Sequence, residues 1–146
     1  MGTKSPPASS RDAQKRMQVL RQRDNKFEMQ LRSVLHRLGL RFRLHRRIIP
    51  DRTRTADIVL PTAKIAVFVD GCFWHSCPRH KSLPKANRDW WRTKLATNVA
   101  RDRDSDRALR RSGWRVIRVW EHEKVELAAR RILKAAHDFK RSSISN

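Results

Sequence analysis

The sequence predicts an α/β domain in which helices flank a mixed sheet, and three observations carry that class. Phe27, Leu31, Val34, Leu35 and Leu38 recur at helical spacing. Short apolar segments at 40–49, 57–60, 64–69 and 112–120 have the length and composition of strands. Val125, Ala128, Ala129, Ile132, Leu133, Ala136 and Phe139 then form a second amphipathic stripe. The resulting order, α-β-β-β-α-β-α, is met by a mixed sheet with helices packed on it.

Residues 1–12 combine Pro, Ser and Gly with no periodic apolar set, which predicts a disordered tip. Ala13 to Arg23 is a basic helical segment with Met17, Val19 and Leu20, too few apolar residues to anchor a core. Residues 1–23 are thus expected to be a flexible basic arm, 24–141 the folded domain and 142–146 a disordered tail. The arm either orders on phosphates or stays a solvated helix. In the first core helix Gly39 is the expected C-cap, and Glu28 stands near the helix N-terminus, where the macrodipole favours a carboxylate.

Residues 40–49 alternate apolar and basic, as a half-buried strand with a positive outer face does. Asp57–Leu60 is a short strand opening on an acid; Pro61-Thr62 breaks it, and Lys64 to Val69 is the most continuously apolar run, hence the central strand. The short break predicts a hairpin with Asp57 and Asp70 at one end of the pair, where two acids repel unless a cation sits between them. After a loop containing Pro84, residues 87–107 form a polar helix bearing Trp90, Trp91, Leu95, Val99, Asn98, Arg101 and Asp102. The last strand, 112–120, runs into Glu121-His122-Glu123, and a helix over 124–141 follows.

Composition narrows the partner. The 146 residues suffice for one domain, and 35 Lys and Arg against 14 Asp and Glu give a net charge of +21. Solubility explains a few units of charge; an excess this large repels itself unless a polyanion neutralises it, and nucleic acid is the natural one. No apolar run approaches the roughly 18 residues of a membrane span, and no secretion signal is recognisable, so a cytoplasmic, nucleoid-associated chain is expected. In that compartment the two cysteines point to metal or free thiols rather than a disulfide.

The densest chemistry lies in Val67-Phe68-Val69-Asp70-Gly71-Cys72-Phe73-Trp74-His75-Ser76-Cys77-Pro78-Arg79-His80. Four residues separate Cys72 from Cys77, two separate Cys77 from His80, and His122 arrives at the end of a distant strand. Cys72, Cys77, His80 and His122 make a closed tetrahedral set suited to structural zinc, with a remote ligand pinning the loop to the sheet. Two buried thiols with ordinary surface histidines are the plainer reading. His75, left out of the set, would be held at the strand end beside Asp57 and Asp70.

Gly71-Cys72-Phe73-Trp74-His75, Trp91 with Asn98-x-x-Arg101-Asp102, and Gly113-Trp114-Arg115-Val116 with Trp120-Glu121-His122-Glu123 together resemble the very short patch repair (Vsr) DNA mismatch endonucleases, over about residues 11 to 125. The resemblance implies the PD-(D/E)XK restriction-endonuclease-like fold, a mixed sheet flanked by helices with a structural zinc site. It also implies an activity: nicking duplex DNA on the 5′ side of T in a T:G mismatch, the lesion left by deamination of 5-methylcytosine.

By the same resemblance Asp57 binds the catalytic Mg2+ with a backbone carbonyl from Val69, and His75 takes a proton from the attacking water while Glu28 and Asp102 orient it. Phe73, Trp74 and Trp91 wedge between base pairs beside the mismatch, and Met17 presses in from the opposite groove; core packing is the alternative for Phe73 and Trp74. Cys72, Cys77, His80 and His122 match the Zn2+ ligands, although their spacing differs from a family pattern in which histidine and cysteine are exchanged. The best-known members carry histidine where this chain has Asp70, which makes Asp70 a further expected metal group. A monomer acting on mismatched DNA, with a MutL-type repair partner, completes the expectation. Two other classes are compatible with the residues: a same-fold nuclease indifferent to mismatches, and a zinc-stapled DNA-binding module without catalysis.

Overall fold

A computed structural model describes residues 11–71 and 86–144. The elements are α1 (Arg11–Arg37), β1 (Arg43–Arg46), β2 (Ala56–Leu60), β3 (Ile65–Asp70), α2 (Arg88–Arg111), β4 (Arg115–Trp120) and α3 (Val125–Ile144), in the order the sequence predicts. The sheet runs β1-β2-β3-β4, with β1/β2 and β2/β3 antiparallel and β3/β4 parallel. The antiparallel pair β2/β3 is the expected hairpin, and α2 is the crossover that a parallel pair requires.

Period-two alternation divides the core between the two faces of the sheet. Ile58, Leu60, Ile65, Val67 and Val119 pack against Phe27, Leu31 and Leu35 of α1 and Ala128, Ala129 and Ile132 of α3. Val59, Ala66 and Phe68 face the other way, with Leu109 of α2. β2 and β3 are buried on both faces, which is why they read as continuous apolar runs.

Two glycines set the helix ends. Gly39, at φ +83°, and Gly113, at φ +86°, adopt the left-handed conformation that lets the last carbonyls of α1 and α2 be capped by the turning chain. After Gly113 the Trp114 N–H bonds the Leu109 carbonyl at 3.0 Å and the Arg115 N–H bonds the Lys64 carbonyl at 2.9 Å. The connection is too short to do anything but fold α2 back antiparallel to β4.

Several element boundaries differ from the sequence expectation: α2 runs on to Arg111, and the last strand starts at Arg115. α1 starts at Arg11 and continues without a break to Arg37. Glu28 is therefore far from a helix N-terminus, and the macrodipole does not account for it. The strand expected over 40–49 shortens to Arg43–Arg46. Leu40 and Phe42 pack against the α1/α3 side of the core before pairing begins, and His45 takes a left-handed φ of +48° that interrupts extended geometry.

Candidate active site

Asp57 stands where β2 and β3 part. The ladder pairs Ile58 with Val67, and one step further the Val69 N–H is bonded at 2.8 Å to Asp57 Oδ2 instead of to a strand carbonyl. That bond fixes one carboxylate oxygen and leaves the other facing α1. There it meets Glu28, which is buried among Phe27 and Leu31, and His45 of the edge strand. One donor atom each from Glu28, His45 and Asp57 lies within 4.8 Å of the others, an oxygen-rich set with one imidazole.

The contacts within this cluster are specific. Arg32, one turn after Glu28, donates from Nη2 to Glu28 Oε1 at 2.9 Å, and the same Nη2 lies 3.0 Å from His45 Nε2. His45 Nε2 is 3.4 Å from Glu28 Oε1, and its Nδ1 is 3.9 Å from Asp57 Oδ1. Oxygen donors held at fixed spacing suit a hard divalent cation such as Mg2+, so Asp57 and Glu28 fit that ion by chemistry.

Asp70, expected to join the same metal group, is paired with an arginine. It lies on the α2 side of β3, and the charge that relieves it is the guanidinium of Arg118, 2.9 Å from Asp70 Oδ1. Arg118 also grips both oxygens of Asp106 and reaches the Asp102 carbonyl at 3.3 Å, with the Asp102 carboxylate 3.7 Å away. Its guanidinium sits 4.3 Å over the Phe68 ring. Burial alone would lower the Arg118 pKa; the Asp106 hydrogen bonds and the charges of Asp70, Asp102 and Asp106 outweigh it and raise it. A further acid, Asp104, accepts from Arg52 and Arg54 and ties the loop before β2 to α2. Those hydrogen bonds hold its carboxyl well below the usual carboxylate range.

Two further expected residues, His122 and Trp91, lie toward the same end of the sheet. In the parallel pair Asp70 is level with Trp120, and the ladder continues one step as the Glu121 N–H bonds the Asp70 carbonyl at 3.1 Å. His122 follows, half-buried, its ring stacked 6.4 Å from Trp120. Because α2 runs antiparallel to β4, its N-terminal half passes beyond this end. Trp90 and Trp91 are half-buried there, edge-to-face at 4.8 Å, about 24 Å along the helix from Asp106. Cys72, Phe73, Trp74, His75, Cys77, His80 and the Met17 side chain lie outside the described residues.

Sequence reasoning passed over His45, Arg32, Arg118 and Asp106. Arg118 was legible: it shares strand parity with Trp114 and Val116, which face the α2 side, and an inward arginine demands acids. Asp102 and Asp106, four apart on the crossover helix, were the matching signal. His45 gave none, because in an apolar and basic alternation it falls among the outward residues.

A strongly basic α/β domain that brings two carboxylates and an imidazole together at the sheet rim has the parts of a nuclease. Comparison with known proteins defines it further. Residues 8–81 match the family model described as DNA mismatch endonuclease Vsr. The type II nicking enzyme V.NaeI of Lentzea aerocolonigenes is 43% identical over 123 residues, 83% of this chain and 74% of that protein. V.XorIIP, a type II nicking enzyme of Xanthomonas oryzae, is 44% identical over 115 residues, 77% of this chain and 82% of that one. The DNA mismatch endonuclease Vsr of Escherichia coli is 37% identical over 109 residues, 73% of this chain and 67% of the relative. The chain belongs to the Vsr family and is a DNA endonuclease.

Proposed function

We propose that this endonuclease nicks duplex DNA 5′ to the T of a T:G mismatch by Mg2+-dependent hydrolysis, and so starts very short patch repair of deaminated 5-methylcytosine. The observation that carries the chemistry is the convergence of Glu28, His45 and Asp57 within 4.8 Å at the rim of a domain with a net charge of +21. Mismatch specificity is supported by the Escherichia coli relative, whose name states it, and by the nicking activity named for the others.

In this reading Asp57 and the Val69 main chain hold the divalent cation, with Glu28 adjoining. A bound Mg2+ supplies charge neutralisation at the phosphoryl oxygens and a more acidic water. The Val69 N–H holds Asp57 Oδ2 and so fixes the turn of its carboxylate. His75 receives the proton of the attacking water, which a neutral imidazole can do near pH 7. Asp102, beside Arg118 on α2, orients His75 together with Glu28. Phe73, Trp74 and Trp91 open the stack beside the mismatch, where unstacking costs least; Met17 enters from the arm.

Zn2+ belongs to Cys72, Cys77, His80 and His122. Support comes from the spacing of Cys72, Cys77 and His80 and from His122, which follows the strand parallel to β3. A monomer with a MutL-type partner goes with the family reading, as does action near the nucleoid; no described helix is long and apolar enough to cross a membrane.

A nicking assay on T:G, T:A and C:G duplexes, with Mg2+ and then with EDTA, tests the reading. Cleavage of the T:G duplex alone, lost in EDTA, supports it; equal cleavage of all three replaces it with a nuclease blind to mismatches.

A further inference from the structure

The site contains a histidine that neither the sequence motifs nor the comparisons assign, and the hydrogen bonds around it fix its chemical form. Arg32 has only donors, so its Nη2 at 3.0 Å requires His45 Nε2 to be an acceptor. Glu28 Oε1, 3.4 Å from the same nitrogen, is an acceptor as well. Two acceptors would repel, and the two N–H bonds of one Nη2, 2.9 Å from Oε1, serve one each. The ring proton must then be on Nδ1, the nitrogen that faces Asp57 Oδ1 at 3.9 Å. A histidine left to water favours the opposite tautomer, with the proton on Nε2.

Both oxygens of Asp57 are thereby addressed: Oδ2 by the Val69 N–H at 2.8 Å and Oδ1 by the imidazole N–H. The second contact is longer than a hydrogen bond, as is common in sites without their ligands, where such contacts tighten on loading. His45 holds this place with a left-handed φ of +48°, which swings the ring of an edge-strand residue toward α1. We propose that His45, locked as the Nδ1–H tautomer by Arg32, is a positioning residue that orients the Asp57 carboxylate for its cation. The inference rests on the metal-site reading of Asp57 given above. It makes His45 an outer support of the site and not a ligand, because a ring that accepts on Nε2 and carries its proton on Nδ1 has no lone pair left for a metal.

Long-range 1H–15N correlation of the histidine rings, about two pH units above the ordinary imidazole pKa, reads the tautomer directly without metal or DNA. Wild type should show His45 protonated on Nδ1, and Arg32→Met should move it to Nε2–H; wild type already in the Nε2–H form overturns the proposal. Calorimetric titration with Mg2+ reads the consequence. His45→Ala should weaken binding about 10–100-fold, the usual range for an outer-shell partner. His45→Gln, whose amide can donate, should recover part of it, with thermal unfolding confirming that both variants fold. Unchanged Mg2+ affinity in folded His45→Ala also overturns the proposal. Failure of the underlying reading looks different: wild type and Asp57→Ala would then take up Mg2+ alike, whatever the tautomer of His45.

Discussion

Arg118→Met removes the guanidinium that Asp70, Asp102 and Asp106 share and keeps most of its volume. The side chains involved are poorly exposed, 4% for Asp70 and 19% for Arg118, so water cannot replace the lost partner at Asp70. Removing one member of a buried pair costs about 3–5 kcal/mol, because the other charge stays behind. The loss of the guanidinium from the Phe68 face adds at most about 1–2 kcal/mol, which the methionine offsets by packing on the same ring. A deficit of about 3–5 kcal/mol in a domain of this size corresponds to a melting temperature lower by roughly 10–15 °C. Urea unfolding followed by tryptophan fluorescence measures it at pH 7. Asp70→Asn added to Arg118→Met should recover stability, because it removes a carboxylate left without its guanidinium. A deficit below about 1 kcal/mol, or no recovery in the double variant, would refute the buried-cluster account.

Asp57→Ala should abolish nicking while leaving zinc content unchanged, measured by gel assay and by metal analysis of the same preparation; loss of zinc would show that the two sites depend on each other. His122→Ala should lower zinc content or unfold the chain, and a stable variant that keeps its zinc removes His122 from the ligand set. Asp104→Asn tests the Arg52/Arg54 clamp. The folded carboxyl of Asp104 is depressed by those hydrogen bonds, so its contribution is present above the ordinary carboxylate pKa of about 4 and is lost as pH falls through that value toward the folded one. The small stability gap between wild type and Asp104→Asn at pH 7 should therefore close in acid; a gap that widens there contradicts the clamp.

The architecture was legible because the features that decide it are local. Helical stripes, apolar strand runs and the terminating Gly39 stand in the sequence with their spacing intact; Gly113, expected inside the last strand, instead ends α2. What could not be read was which side of a strand end an acid serves. Asp57 and Asp70 do come to the same end of β2 and β3, as the hairpin requires. Their partners, Val69 and His45 in one case and Arg118 in the other, are set by the divergence of β2 and β3 and by the crossover of α2, and neither is written in the spacing of two aspartates. Glu28 was misjudged for a related reason. A carboxylate looks like a capping charge only if the helix starts near it, and α1 starts at Arg11 because basic, weakly apolar residues still propagate a helix once a packed segment nucleates it.

The separation of the two acids explains how the rim can hold charge of one sign without collapsing. Asp70, Asp102 and Asp106 surround Arg118, whose single positive charge offsets part of theirs on the α2 side. On the α1 side Arg32 binds Glu28 and His45, and the Val69 N–H holds Asp57 Oδ2. The hydrated cation proposed for Asp57 would add its charge to that arrangement. Swapping the arrangement tests it: a second cation built beside Asp57 by Val69→Lys should suppress Mg2+ binding, while Arg118→Met, far side intact, should leave a Mg2+-responsive α1 side wherever the variant remains folded. If Val69→Lys binds Mg2+ as wild type does, Asp57 is not the group that holds it.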